Sequence, residues 1–314
     1  MPISASSATD IRRPPPWHAA LELRFARIEG ATRLVDNRHH GPLRLQKLLY
    51  PQDRSQCEAL LLHPPGGIAG GDVLDLSVQA DEGAAVLLST PGAAKWYRSA
   101  GRTAIQRTRL RVATGASLEW LPQEAILFEQ ADAMQTLDLQ VDDGAATLGW
   151  DIVQLGRTAA GDHWRQGRFR QSLTLSRGAR AVWIDRADFE AGDPVRQALT
   201  GLAGRPVSGT LWAASPQLEA QPETVLAAVR ELLDAHLGQA AAAFPATRLH
   251  HAADWVQAPL CAAASLLPAP ANLLLVRALG HDAEALRMLL EAVWSRLRPL
   301  VLHRPGYRPR IWAT

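Results

Sequence analysis

The chain has 314 residues, of which 47% are hydrophobic and 20% charged, and its formal net charge is +2. That balance excludes an intrinsically disordered chain, which needs low hydrophobicity and high net charge, and it lacks the basic excess of a dedicated nucleic-acid binder. Its two cysteines, Cys57 and Cys261, sit in no metal-type or disulfide-type spacing. They read as buried, inert thiols in a reduced, cytoplasmic compartment.

The first sixteen residues are rich in Ser and Ala, then carry Arg12-Arg13 and Pro14-Pro15-Pro16. No apolar core follows the arginines, so residues 1–16 read as a disordered lead-in and not as a secretory signal. Residues 17–314 read as a single β-rich domain. Alternation of apolar and polar residues at Leu21, Leu23, Phe25 and again at Leu74, Leu76, Val78 marks strands with one buried face.

An internal repeat follows. Leu110-x-Val112-x-x-Gly115-Ala116 recurs as Leu139-x-Val141-x-x-Gly144-Ala145 and as Leu173-x-Leu175-x-x-Gly178-Ala179. A looser first copy runs from Leu76-x-Val78 to Gly83-Ala84, and the glycines are 32, 29 and 34 residues apart. The spacing predicts strand–turn–strand units stacked into solenoid-like β-layers over one continuous core, with glycine supplying the positive φ of each turn. A set of unrelated short hairpins is the alternative.

Two helices are expected in the last third. One spans Pro222–Leu237, with Gly238 as its stop, and the other begins at Asp282, carries Leu286, Leu289, Leu290, Val293, Trp294 and Leu297 on one stripe, and ends before Pro299. Trp255 to Val276 carries no charge and is about as long as a membrane span. Pro259, Pro268 and Pro270 interrupt it, which predicts buried strands around a proline turn.

Charge is segregated. Gly83 to Leu118 holds Lys95, Arg98, Arg102, Arg107, Arg109 and Arg111 and no acid, whereas Val112 to Gly156 holds eight acids, Glu119, Glu124 and Asp151 among them, and no base. Arg107, Arg109 and Arg111 alternate and so share one strand face. They read either as a solvated face neutralised by its neighbours or as a docking patch for a protein partner.

No catalytic constellation assembles. The run His63-Pro64-Pro65-Gly66-Gly67-Ile68-Ala69-Gly70-Gly71-Asp72 lacks the Lys-Ser/Thr of a phosphate loop and is followed by a strand. There is no GxSxG, HExxH or Cys/His cluster, and the pairs His39-His40 and His250-His251 are poor chelates. Weak oxygen ligands in the acidic segment suit passage of a divalent ion better than its retention. Most of the ten tryptophans lie in apolar strands, while Trp17, Trp96 and Trp312 lie outside them and are candidate partner anchors. These features favour a binding or scaffold role over catalysis.

Several of these segments resemble signatures of the urease accessory protein UreD family, also called UreH. They are His63–Asp72, Leu88–Ser99, Leu118–Glu129, Gly149-Trp150-Asp151 leading to Leu155-Gly156-Arg157, and the closing Pro309-Arg310-Ile311-Trp312. The resemblance runs in order from about residue 18 to the end. It implies a mostly β fold of stacked layers with two helices and no enzymatic activity. It also implies a maturation chaperone that works with UreF and the GTPase UreG to load nickel into the large subunit of apo-urease, with UreE as the nickel donor. No cofactor is expected to stay bound; nickel passes in transit.

On this reading Asp72, Glu119 and Glu124 are candidate transient nickel contacts, unless they only pair with Arg98, Arg102 or Arg107. His63, Pro64, Pro65, Gly66, Gly67, Gly70 and Gly71, with Thr90, Pro91, Gly92, Tyr97, Arg98 and Ser99, are motif positions expected to brace the sheets. Arg107, Arg109, Arg111 and Trp312 are candidate partner contacts. A carbohydrate-acting β-solenoid enzyme is the alternative, and a nucleic-acid module resting on Lys95–Arg111 comes third.

Overall fold

The computed structural model describes residues 15–242 and 258–313. Almost all of the N-terminal lead-in therefore lies outside the described residues. Two sheets dominate. The seven-stranded first sheet has the order β14 (Arg180–Glu190), β13 (Arg168–Arg177), β11 (Asp132–Val141), β8 (Ala104–Val112), β5 (Val73–Ala80), β1 (His18–Ile28), β2 (Ala31–His40). The second has the order β16 (Leu260–Leu267), β17 (Leu273–Gly280), β15 (Val207–Ala214), β12 (Ala146–Leu155), β9 (Ser117–Leu121), β6 (Ala85–Ser89), β4 (Gln56–Leu62), β3 (Arg44–Leu45). A side ribbon of β7 (Ala94–Trp96) and β10 (Ala125–Leu127) pairs with β12.

The repeat is a solenoid. β5, β8 and β11 pair in parallel in the first sheet, and β6, β9 and β12 pair in parallel in the second. The Gly-Ala corners join them. Gly83, Gly115 and Gly144 have φ of 69°, 69° and 74°, and the following alanine N–H donates to the carbonyl three residues back. A side chain at the glycine would be strained there. Ala84, Ala116 and Ala145 are buried, small enough for the corner to close over the core. Ser117 N–H donates to Ala84 O and Ala146 N–H to Ala116 O, so the ladder runs unbroken through the stacked corners.

The last copy departs from this. Gly178-Ala179 does not cross between sheets; β13 and β14 pair antiparallel as a hairpin in the first sheet, and Ala179 is exposed. Register explains the difference. Leu175, not Leu173, lies in line with Leu139 and Leu110. Only three positions then separate Leu175 from its glycine, against five in the other copies, which suits a two-residue hairpin loop better than a corner.

Two apolar layers hold the fold. One lies between the sheets, with Leu21, Phe25, Leu76, Leu110 and Leu139 facing Leu61, Val86, Leu118 and Trp212. The other lies between the second sheet and the helices. Every residue of β12 is buried because it is covered on both faces.

The helices are α1 (Pro216–Ala220), a single short turn not foreseen in the sequence, α2 (Pro222–Ala242) and α3 (Ala283–Val301). Two expected ends move. α2 runs through Gly238, since a glycine costs only about 1 kcal/mol in a helix and the segment around it is alanine-rich. α3, N-capped by Asp282, continues past Pro299 to Val301. The proline stands in the last turn, where its missing N–H frees only the Ser295 carbonyl.

β16 and β17 form an antiparallel pair around the turn at Pro268–Asn272, in place of any span. The part of that uncharged stretch before residue 258 lies outside the described residues. Among the described residues no helix is long and apolar enough to cross a membrane.

Candidate functional site

The edge of the solenoid opposite the tight corners is built differently. There the chain returns from the second sheet to the first through long connections, residues 63–72, 90–103, 122–131 and 156–167, which hold most of the motif segments. They are sewn together by backbone hydrogen bonds. Ile68 N–H donates to Lys95 O at 2.7 Å, Tyr97 N–H to Ile68 O, Ala94 N–H to Glu124 O, and Phe128 N–H to Trp96 O. The Thr90 hydroxyl accepts from Gln123 N–H at 2.9 Å, and Ser99 Oγ accepts from Asp132 N–H at 2.7 Å. Tyr97 meets Phe128 edge-on, and Arg157 lies over the same ring.

The glycines of the first loop are there for closeness. A Cβ on Gly67 would stand 2.2 Å from the Tyr97 ring, and one on Gly70 would stand 2.0 Å from the Ser99 carbonyl oxygen. Ser99 is backbone-anchored and cannot give way. Gly70→Ala is therefore expected to cost about 1–3 kcal/mol, measured as a lowered urea midpoint with an unchanged slope; a midpoint equal to wild type would show that the loops are not in contact.

Between the sheets behind these loops lies a cavity of about 320 Å³. Its exposed lining residues, Gly66, Pro91, Gly92 and Lys95, belong to two of the motif loops and form its mouth. His63 stands beside them, its imidazole held below the ordinary value by burial against the opposing pull of Asp72. Leu43, Leu61, Leu74 and Leu76 supply apolar wall.

The floor is polar. Gln106, Gln135 and Gln171 stand side by side on β8, β11 and β13 in exact register, and Asp151 faces them from β12. Gln135 Nε2 donates to Asp151 Oδ2 at 2.5 Å and Gln171 Nε2 to Oδ1 at 2.7 Å. Burial pushes the Asp151 carboxyl up to about 6, against the lowering effect of the Gln171 and Gln135 bonds, and Asp185 adds to the rise. Gln135 Oε1 is buried without a hydrogen-bond partner. None of these four was singled out as a cation contact from the sequence.

The three acids chosen from the sequence do not gather. Asp72 braces its own loop: one oxygen accepts from Ala69 N–H and the other from Trp17 N–H. Glu119 lies on the opposite face of the second sheet, fully buried under α3. Its Oε1 accepts from Gln56 and Arg298, and its Oε2 from Trp294 and Arg298, at 2.6–2.9 Å. Its cation is therefore Arg298, not the expected Arg98, Arg102 or Arg107, because side chains alternate across β9 and position 119 faces the helices. Glu124 is near the loop edge with Oε2 buried and without a hydrogen-bond partner. Among the described residues no three His, Cys, Asp or Glu side chains gather into a set that could hold a metal ion.

The expected aromatic anchors also change. Trp96 is fully buried in β7, and Trp312 is buried against Trp150 and Trp294 with its Nε1 donating to Ser89 Oγ. The closing segment is thus packing, not an open contact, because it folds back over α3. Of the three, only Trp17 is exposed. Arg107, Arg109 and Arg111 do share the outer face of the first sheet. Cys57 and Cys261 are unpaired; Cys57 is buried as expected, and burial pushes its thiol up to about 12, whereas Cys261, on β16 at the end of the second sheet, is only partly buried.

The arrangement holds a braced loop edge and a pocket with a buried carboxylate. Comparison with known proteins agrees with it. The family model described as UreD urease accessory protein matches residues 18–313. A urease accessory protein UreD of Dechloromonas aromatica is 42% identical over 300 residues, covering 96% of each chain. The protein of that name from Bordetella pertussis is 40% identical over 301 residues, covering 95% of this chain and 98% of its own. The Delftia acidovorans protein is 42% identical over 307 residues, covering 95% of each. These matches set aside the carbohydrate-acting alternative. With the motif loops meeting at one edge and near-complete matches along the chain, it belongs to the UreD family of urease accessory proteins, maturation factors rather than enzymes.

Proposed function

We propose that this chain acts with UreF and the GTPase UreG in GTP-dependent insertion of nickel into apo-urease, with UreE as the indirect donor of the ion. The urease accessory role itself implies contact with urease and with other accessory proteins. The inter-sheet cavity is the stretch of this chain we assign to the moving ion. The observation that carries the assignment is Asp151, a buried carboxylate at the floor of a cavity whose mouth is made by the motif loops.

Oxygen donors suit harder cations and imidazole suits nickel, so glutamine amides with one carboxylate bind the nickel ion weakly enough to let it leave. Glu124, with a free buried oxygen beside the same edge, remains a second candidate contact. Asp72 and Glu119 do not line the cavity: Asp72 ties its own loop to Ala69 and Trp17, and each Glu119 oxygen accepts two hydrogen bonds on the far face of the sheet, so both serve as braces. The cytoplasm is the expected place of action, in keeping with two unpaired thiols.

Asp151→Asn keeps the shape of the floor and removes its charge. Urease matured in cells carrying this variant is expected to acquire nickel on the order of tenfold more slowly, while the variant still co-purifies with its partners. Metal content of purified urease reads the result. Full nickel loading at the wild-type rate would remove Asp151 from the route.

A further inference from the structure

Among the described residues one large surface of the fold is left uncovered: the helices cap the second sheet, but no layer lies on the outer face of the first. Its central strand is β8, the fourth of seven. Down the middle of this face run Arg107, Arg109 and Arg111, two residues apart and pointing the same way.

Their neighbours on one side are short or neutral. Thr136 and Gln140 on β11, with Ser172, Thr174 and Ser176 on β13, lie level with them, and Asp138 is the one acid among these. The arginines therefore stand as a ridge above a low polar floor. About half of the arginines on this sheet have a carboxylate within the chain: Arg24 holds Asp81, Arg38 holds Asp36, Arg107 reaches Asp75, Arg168 holds Asp188, Arg170 holds Asp132, and Arg177 holds Glu219. Arg109 and Arg111 are exposed and make no ion pair among the described residues.

Six inter-strand spacings give a width of about 29 Å, and a nine-residue strand gives a length of about 30 Å. That is on the order of 800 Å², the area one partner contributes to a standard stable interface. Arginine is enriched at the centres of such interfaces.

We infer that the outer face of the first sheet docks the acidic surface of a folded partner protein, with Arg109 and Arg111 at the centre of the contact. A folded protein fits better than a nucleic acid because Glu22, Asp75 and Asp138 share the face and would repel a continuous polyanion. The inference rests on the urease-maturation reading, in that the partner is sought among urease and the accessory proteins.

The test uses the full chain carrying Arg109→Glu and Arg111→Glu together, with Arg296→Glu on the helical side as the control. Binding to apo-urease and to the accessory proteins is measured at low and at physiological salt, with a poly-uridine oligonucleotide as a parallel probe. The double variant is expected to melt like wild type, to bind at least about tenfold more weakly, and to lose most of the salt dependence, while the control binds normally. Wild-type affinity in the double variant would overturn the docking face and leave the maturation reading standing. Loss of oligonucleotide binding alone would also overturn it, in favour of a nucleic acid. If the wild-type chain captures neither urease nor any accessory protein, the maturation reading fails and this inference falls with it.

Discussion

Replacing Glu119 by alanine is expected to destabilise the fold by about 3–5 kcal/mol. Both of its oxygens are occupied, by Arg298, Gln56 and Trp294, and neither it nor Arg298 has any exposure. Removing the carboxylate leaves a guanidinium buried without its anion. The loss would travel. Arg298 also donates to the Pro305 carbonyl and stacks against the Trp294 and Tyr307 rings, so it fastens the closing segment to the helical layer.

Urea denaturation followed by tryptophan fluorescence reads the cost, since Trp294 and Trp312 sit at the cluster. The double variant Glu119→Ala/Arg298→Met should recover part of it, because no charge is then stranded. A single variant within about 0.5 kcal/mol of wild type, the range of ordinary surface substitutions, would show that water reaches the cluster. Poor urease activation by Glu119→Ala therefore reports a damaged scaffold, and it carries no information on the path of nickel.

The division of labour in the molecule follows from its corners. At one edge each coil turns in a few residues because a glycine adopts positive φ and an alanine fits beneath it. At the other edge the same coils close through long connections, and those connections carry the motif loops, the side ribbon of β7 and β10, and the mouth of the cavity. The candidate site thus lies where the backbone is not needed to close the solenoid tightly. The rigid corners hold the sheets at the spacing that leaves room for Gln106, Gln135 and Asp151 between them.

The solenoid was legible because its corners impose a local demand, positive φ followed by a small residue, that recurs in the chain. The hairpin at Gly178 was not, since the same two residues serve either turn and only the distance from Leu175 to Gly178 separates them. That misalignment also hid the glutamines. Gln106, Gln135 and Gln171 each precede by four positions the leucine that register places in line, Leu110, Leu139 and Leu175. Aligning the third copy on Leu173 breaks the pattern. Glu119 and Arg298 are 179 residues apart and meet only when α3 docks on the second sheet, so nothing local announces the pair. Trp312 looks like a free terminal aromatic until the tail's path over α3 is known.

The chain is also expected to lose stability as pH rises from about 5 to 8, and Glu58 is the main cause. It is buried on β4 with Oε1 unpartnered, on the side of the second sheet that holds Glu119. Burial pushes its carboxyl up to about 7, only partly opposed by Arg298, and the charge on Glu119 adds to the rise. The folded chain thus binds this proton more tightly than the unfolded chain does. Its contribution is full below the ordinary carboxylate value near 4.5 and is lost as pH climbs through about 7.

A gap of that size corresponds to about 2–3 kcal/mol between pH 5 and pH 8. Asp151, raised to about 6 by burial, acts in the same direction. His63 and His281, held below the ordinary imidazole value by burial, oppose it at the acidic end. Comparison with Glu58→Gln separates the terms, because the amide keeps the shape and does not titrate. The variant should gain about 2–3 kcal/mol on wild type between pH 5 and pH 8, read from urea midpoints at each pH. Parallel stability curves for the two proteins would mean that Glu58 is ionised at neutral pH and that Arg298 serves both carboxylates at once.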